Sequence, residues 1–224
     1  MRILAFSDPH GELPDLVTTG LLEGVNRVLI AGDICPAFGG PPREFEFLKQ
    51  QLWLESDFWR WCVKVKIPIY LTLGNHDYVD DFQAVPHLHF GTQRIVDDIL
   101  LFSWTPNWGH WSAWAANEKS LSAKLADVLK DGRPRIWLTH GAPFGACDED
   151  GPPQKFEDGF FVQGRIGSTA LREGILKYQP ELVICGHIHG GVPQGRLGNT
   201  RIFNVSLYNS VFERHREPIL IDIT

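Results

Sequence analysis

The chain has 224 residues, 43% of them hydrophobic, enough to build one full-sized globular core. A formal charge of −6 argues against a protein built to grip a nucleic-acid backbone. The apolar runs are too short to span a bilayer, and Asp8 interrupts any secretory signal, so the expected location is cytoplasmic and no membrane partner is expected.

Residues 2–7 read as a buried strand, followed at once by Asp8-Pro9-His10-Gly11. In extended backbone, residues two apart face the same side, so Asp8 and His10 can converge on one ion. Residues 13–22 are expected as a short helix. Residues 25–31 form a second apolar strand ending in Gly32-Asp33-Ile34-Cys35. The four cysteines (Cys35, Cys62, Cys147, Cys185) show no paired spacing and read as buried small residues. Cys35 is the exception to watch, because it follows Asp33 by two positions.

After a Pro/Gly-rich loop at 36–42, residues 43–64 carry a helical pattern. Phe45, Leu48, Leu52, Trp59, Cys62 and Val63 fall near one face, which is predicted to be the buried one. A third strand at 67–73 ends in Gly74-Asn75-His76-Asp77. Asn75 offers an amide oxygen that can ligate a metal. His76 can move a proton near neutral pH, and Gly74 lets the backbone turn.

His87 and His89 alternate but follow no clear strand, so a structural role is expected of both. Residues 94–96 and 99–103 read as strands joined at Asp97-Asp98. Between Trp104 and Trp114 there are four tryptophans in eleven residues, broken by Pro and Gly. Two accounts stand for this stretch. It is a packed surface loop, or it is a wall over the site that stacks a flat substrate group, with Trp108 and His110 touching substrate.

Residues 117–130 form an amphipathic helix with Leu121, Leu125, Val128 and Leu129 on one face. A fourth strand at 135–139 ends in His140-Gly141. The loop at 142–164 is long for a structureless connection, which points to function or mobility. A helix at 168–177 leads to a fifth strand at 181–185, ending in Gly186-His187-Ile188-His189. Strands at 192–197, 201–205 and 219–223 complete the chain. With no repeat, linker or low-complexity segment, residues 1–224 read as a single domain.

Five strand ends therefore deliver Asp8/His10, Asp33, Asn75/His76, His140 and His187/His189. One histidine beside a buried strand is ordinary; five polar strand ends in succession do not follow from core packing. A set mixing carboxylate, imidazole and amide suits Mn²⁺, Fe or Zn²⁺ better than Ca²⁺ or Mg²⁺. Seven candidate ligands (Asp8, His10, Asp33, Asn75, His140, His187, His189) are too many for one ion and match two that share a carboxylate.

In this order the motifs resemble those of the calcineurin-like metallophosphoesterases: Asp-x-His, Gly-Asp-x-x-Asp/Glu, Gly-Asn-His-Asp/Glu, a lone His-Gly, and Gly-His-x-His. The resemblance spans Asp8 to His189. It implies a four-layer αββα sandwich of two mixed β-sheets flanked by helices. It also implies two divalent cations, Mn²⁺ foremost with Fe or Zn²⁺ as alternatives. Asp8, His10 and His189 would hold one ion, Asn75, His140 and His187 the other, with Asp33 between them. His76 would be the catalytic residue beside a metal-activated hydroxide that attacks phosphorus. The implied activity is hydrolysis of small-molecule or cyclic-nucleotide-like phosphodiesters. The alternatives are phosphomonoesterase or nucleotide pyrophosphatase activity, or a metal-binding scaffold without catalysis. A small phosphoester is the expected partner, and no nucleic-acid polymer.

One position departs from the pattern. The second motif usually closes with an acidic residue that orients the histidine of the third; here it closes with Pro36. Either Asp77, Asp80 or Asp81 holds His76 instead, or His76 is a poorer acid that favours substrates with good leaving groups.

Overall fold

The computed structural model describes residues 1–37, 43–79, 85, 87–106, 114–130, 132–149, 154–155, 161–162, 165–209, 211 and 213–223, with backbone alone at 43–45, 154–155 and 161–162. In chain order the strands are β1 (Arg2–Phe6), β2 (Arg27–Ala31), β3 (Ile69–Thr72), β4 (Leu88–Phe90), β5 (Gln93–Val96), β6 (Ile99–Phe102), β7 (Thr105–Pro106), β8 (Ala115–Ala116), β9 (Ile136–Thr139), β10 (Gln154–Lys155), β11 (Phe161–Val162), β12 (Leu182–Cys185), β13 (Gln194–Leu197), β14 (Thr200–Asn204) and β15 (Ile219–Asp222). The helices are α1 (Arg43–Trp53), α2 (Trp59–Val65), α3 (Glu118–Val128) and α4 (Thr169–Tyr178). A π-helical turn, Leu54–Phe58, joins α1 to α2.

Two mixed sheets carry the fold. One runs β15-β1-β2-β3-β4, the other β13-β14-β12-β9-β6-β5. In the first, β1 to β4 are parallel and β15 is antiparallel on the edge. In the second, β14, β12, β9 and β6 are parallel, with antiparallel β13 and β5 outside them. Parallel strands need both faces covered, and these strands read as near-continuous apolar runs accordingly.

The two-residue period of the strands sorts their side chains into three cores. Ile3, Ala5, Leu29 and Ala31 meet Ile136, Leu138, Leu182 and Ile184 between the sheets. Leu4, Phe6, Val28 and Ile30 face outward to Phe58, Cys62 and Val65 of the α1–α2 layer. Trp137, Val183 and Cys185 face the other way, onto Leu121, Leu125, Leu171 and Ile175 of α3 and α4. The order is helix, sheet, sheet, helix, the four-layer sandwich expected. Burying each such side chain stabilises by about 1.5–3 kcal/mol, so the layering is strongly specified.

Three expectations fail locally. Residues 13–22 form turns, not a helix. Pro14 lies inside that stretch, Gly20 takes φ +72°, and the Asp15 side chain accepts from the N–H and hydroxyl of Thr18. Such local side-chain bonds compete with helical ones.

The expected buried face of the long helix is also wrong. Leu48, Leu52, Trp59 and Val63 are exposed, whereas Gln50, Leu54, Phe58, Cys62 and Val65 are buried. Cys62 alone falls on the expected side, and the Phe45 side chain lies outside the described residues. The π-helical turn adds a residue to the register and carries the face across it. Finally, β4 forms where no strand was expected, added in parallel to the edge at β3.

Asn117 and Ser168 cap α3 and α4, accepting from the N–H of Ser120 and Leu171. No helix among the described residues is long and apolar enough to cross a membrane. All four cysteines are buried and free.

Candidate metal centre

The parallel strands of both sheets point their carboxyl ends at one place. Asp8 and His10 follow β1, Asp33 follows β2, and Asn75 and His76 follow β3. From the second sheet come His140 after β9, and His187 and His189 after β12. Open α/β sheets commonly place their ligands at such ends. The two sheets are tied there. Ser7 N–H donates to Val205 O at 3.0 Å, and Ser103 Oγ accepts from Leu73 N–H at 2.8 Å.

The side chains converge in two groups. Asp8, His10 and His189 form one, and Asp33, His140 and His187 the other. Within each, the candidate ligand atoms all lie within 4.8 Å of one another. Asn75 belongs with the second group, since its Oδ1 stands 2.8 Å from His140 Nε2 and 2.7 Å from His187 Nδ1. The groups adjoin: the His187 N–H donates to Asp8 at 3.1 Å. All seven expected ligands are thus brought together.

Tautomer and strain fit the same picture. His140 Nδ1 donates to the Ala31 carbonyl at 2.7 Å, which directs Nε2 toward Asn75 Oδ1 and, at 3.3 Å, Asp33 Oδ2. A backbone bond on one ring nitrogen is the usual way to aim the other at a metal. Asp8, His10, Asp33 and His187 all adopt positive φ, between 45° and 65°. Non-glycine residues rarely do so, and strain of this kind concentrates at functional sites.

Glycines make room for the donors. A Cβ on Gly74 would fall 2.2 Å from Asp33 Oδ1, and one on Gly186 would fall 2.5 Å from Asp8 Oδ2. Carboxylate, imidazole and amide oxygens gathered around cradles that no side chain fills are the donor set a pair of divalent cations takes.

The electrostatics agree. Burial pushes the Asp8 and Asp33 carboxyls up, but neighbouring histidines outweigh it and hold both below the ordinary range. Burial opposes charge on His140, yet Asp33 and Asp8 raise it to about 9. Burial and the His140 charge hold His187 down at about 3. Two buried anions drawing protons onto their neighbours make a field suited to cations.

The family pattern of the calcineurin-like phosphoesterases matches residues 1–191. The chain belongs to that family. Its members are metal-dependent phosphoester hydrolases, and the gathered donors suit that chemistry. One solved crystal structure superposes with a TM-score of 0.67 at 15% identity, covering 93% of this chain and 90% of its own. The protein TT1561 of Thermus thermophilus superposes at 0.58 with 17% identity, covering 93% and 89%. At such identities the likeness is one of fold. No curated protein matches the sequence significantly.

The phosphoesterase keeps His76 beside the donors but outside both groups. Its ring lies edge-on to His10, 5.6 Å between centroids, and its backbone N–H donates to Asp33 Oδ1 at 2.7 Å. Asp77, one of the acids considered for orienting His76, does something else. Buried, it accepts from the N–H groups of Cys35, Gly74 and Ile34 at 2.9, 2.9 and 3.3 Å. It ties the Asp33 loop to the Asn75 loop. Asp80, Asp81, Trp108 and His110 lie outside the described residues, as do most of 150–164.

The remaining singled-out residues are structural. His87 Nε2 meets the Cys62 carbonyl at 2.7 Å, and His89 stacks on Tyr70. Cys35 is buried and belongs to neither donor group. A cavity of about 290 Å³ beside Arg133, Trp137 and Tyr178 lies at the opposite, amino ends of β9 and β12 and holds none of the donors.

Two further residues hold the loops that carry the donors. Asn204, fully buried, donates from Nδ2 to Ile188 O at 2.7 Å and so holds the turn between His187 and His189. That burial excludes the glycosylation that Asn204-Val205-Ser206 formally spells. Gln50, 1% exposed, reaches the His76 loop from α1.

Proposed function

We propose that this phosphoesterase hydrolyses phosphodiesters of small molecules, with cyclic-nucleotide-like esters as the substrate class. Asp8, His10 and His189 would hold one divalent cation. Asn75, His140 and His187 would hold the other, and Asp33 would be the carboxylate the two share. Mn²⁺ is the preferred metal, and Fe and Zn²⁺ are compatible with the same donors. When bound, the cations supply Lewis acidity that neutralises phosphoryl oxygens and makes water a competent nucleophile near neutral pH.

The protein's own contribution is positioning. Asp33 accepts the His76 N–H, so the loop that presents the imidazole is registered on a ligand carboxylate. The half-buried His76 ring can then donate a proton to the leaving ester oxygen or a hydrogen bond to the phosphoryl group. The strand-end glycines let the donors stand closer to the backbone than any side chain would allow. The whole chain, 1–224, acts as one domain. Four buried free thiols suit a reducing cytoplasm.

The observation that carries this reading is the meeting of two three-residue donor groups, with His76 beside them and in neither. The test is purified protein assayed with Mn²⁺, Fe²⁺ or Zn²⁺ on bis-p-nitrophenyl phosphate, p-nitrophenyl phosphate, 3′,5′-cyclic nucleotides and dinucleoside pyrophosphates. Diester and cyclic-nucleotide cleavage exceeding monoester cleavage is expected. Preference for the monoester or pyrophosphate would replace the diester assignment. Inactivity with both ions bound would leave a scaffold.

A further inference from the structure

Holding His76 depends on holding the peptide groups around it, because buried backbone polar groups are rarely left alone. The Gly74 N–H goes to Asp77 Oδ2, the His76 N–H to Asp33 Oδ1, and the Asp77 N–H to Gly74 O. The Asp77 carbonyl accepts from Trp114 Nε1 at 3.1 Å. Two more groups of the turn, the His76 carbonyl and the Tyr78 N–H, stand one on either side of Asp77.

A single side chain satisfies both. Gln50 Nε2 donates to the His76 carbonyl at 2.8 Å, and Gln50 Oε1 accepts the Tyr78 N–H at 2.9 Å. Nε2 also lies 3.5 Å from the carbonyl of Pro36, the residue that stands where the family pattern has an acid. Gln50 projects from the middle of α1 into a row otherwise made of Leu54, Phe58 and Cys62. A buried primary amide with both ends paired to one loop is expensive to place for packing alone. Among the described residues no carboxylate accepts a hydrogen bond from the His76 ring.

We propose that Gln50 is the positioning residue for His76, fixing the imidazole through the backbone on either side of Asp77 in place of an acid on the ring. The inference rests on the catalytic role proposed above for His76. Gln50 never touches substrate in this scheme. It sets where the His76 Cα stands, and the ring follows. An amide is suited to this because it offers one donor and one acceptor in a plane, matched to a carbonyl and an N–H two residues apart.

The test is a double-mutant cycle in the holoenzyme, combining Gln50→Leu and Gln50→Glu with His76→Ala. Gln50→Leu removes both bonds at similar volume. Gln50→Glu keeps the acceptor for Tyr78 and loses the donor for His76. Turnover is measured on an alkyl phosphodiester, with metal content and thermal stability alongside. The expected result is that both variants bind the same two ions, change KM less than about twofold, and lower kcat roughly tenfold in the presence of His76. In the His76→Ala background the further loss falls below about twofold, because the residue they act through is gone.

Amide hydrogen exchange adds a readout free of turnover. Gln50→Leu should speed exchange at His76 N–H while leaving β3 protected as in the parent protein. Losses that multiply independently in an active enzyme, or His76 exchange unchanged in Gln50→Leu, would overturn the inference while leaving the hydrolase reading in place. A wild-type protein that binds both ions and cleaves no phosphoester would overturn the hydrolase reading and this inference with it.

Discussion

The carboxylate of Asp77 accepts the backbone N–H of Cys35 at 2.9 Å, across 42 positions of sequence. It also takes the N–H groups of Gly74 and Ile34, so one buried acid staples the loop of Asp33 to the loop of Asn75. Asp77→Ala would leave three buried donors unpaired. With one to three kcal/mol typical for each such group, and water able to reach some of them, a loss of about 3 kcal/mol is expected. Chemical denaturation gives that number. Metal titration should show both ions bound more weakly, since each loop supplies a ligand.

Glycine substitutions separate the cradle from ordinary turns. A methyl group on Gly74 would stand 2.2 Å from Asp33 Oδ1 and 2.6 Å from His140 Cε1, both held by other bonds. Gly74→Ala is therefore expected to lose at least one ion and nearly all activity, read by metal stoichiometry and turnover. Gly20 has φ +72° but nothing within 4 Å of its would-be Cβ. Gly20→Ala should cost only about 1–2 kcal/mol of backbone strain and leave both ions in place.

Asn204 gives a milder, local prediction. Its amide donates to Ile188 O at 2.7 Å and Cys147 O at 3.4 Å, and its Oδ1 accepts the Ser206 N–H at 3.1 Å. Asn204→Ala frees the turn that spaces His187 from His189. The expected outcome is a destabilisation of about 2 kcal/mol and activity that excess metal restores. If activity instead stays low at saturating metal with full occupancy, Asn204 is not acting through the ligand turn.

The strand ends were legible because strand and ligand signals reinforce one another. An apolar run that stops at Asp, Asn or His beside Gly identifies the element and marks a candidate ligand at its end, and the positions of Asp8, Asp33, Asn75, His140 and His187 at the strand ends were all readable so. What hid was whatever depends on exact phase or on contact across the chain. The π-helical turn at Leu54–Phe58 defeats a 3.6-residue count, which places Leu48 and Leu52 inside and passes over Gln50. The turns at 13–22 were hidden by a local contest between the Asp15 side chain and the helical backbone. Asp77 has the residue type of a ligand or an orienting acid, and only its three backbone partners show it to be a staple. The positive φ of four candidate ligands leaves no trace in residue type at all.

The last prediction concerns the proton. The Pro36 side chain cannot accept a hydrogen bond from an imidazole, and among the described residues no side chain replaces the acid it displaces. A histidine held only through its backbone has no carboxylate to fix its ring as the proton moves, so it protonates a poor leaving group less effectively than one backed by a carboxylate. His76→Ala should then cost little, roughly threefold, on an aryl phosphodiester whose phenolate departs unaided. On an alkyl diester, whose alkoxide needs a proton, it should cost about a hundredfold. Installing the missing acid tests the same idea from the other side. Pro36→Asp, if it folds with both ions bound, should raise turnover of the alkyl ester more than that of the aryl ester. Equal, large losses on both esters in His76→Ala would instead place His76 on the phosphoryl oxygens, where its contribution does not depend on what leaves.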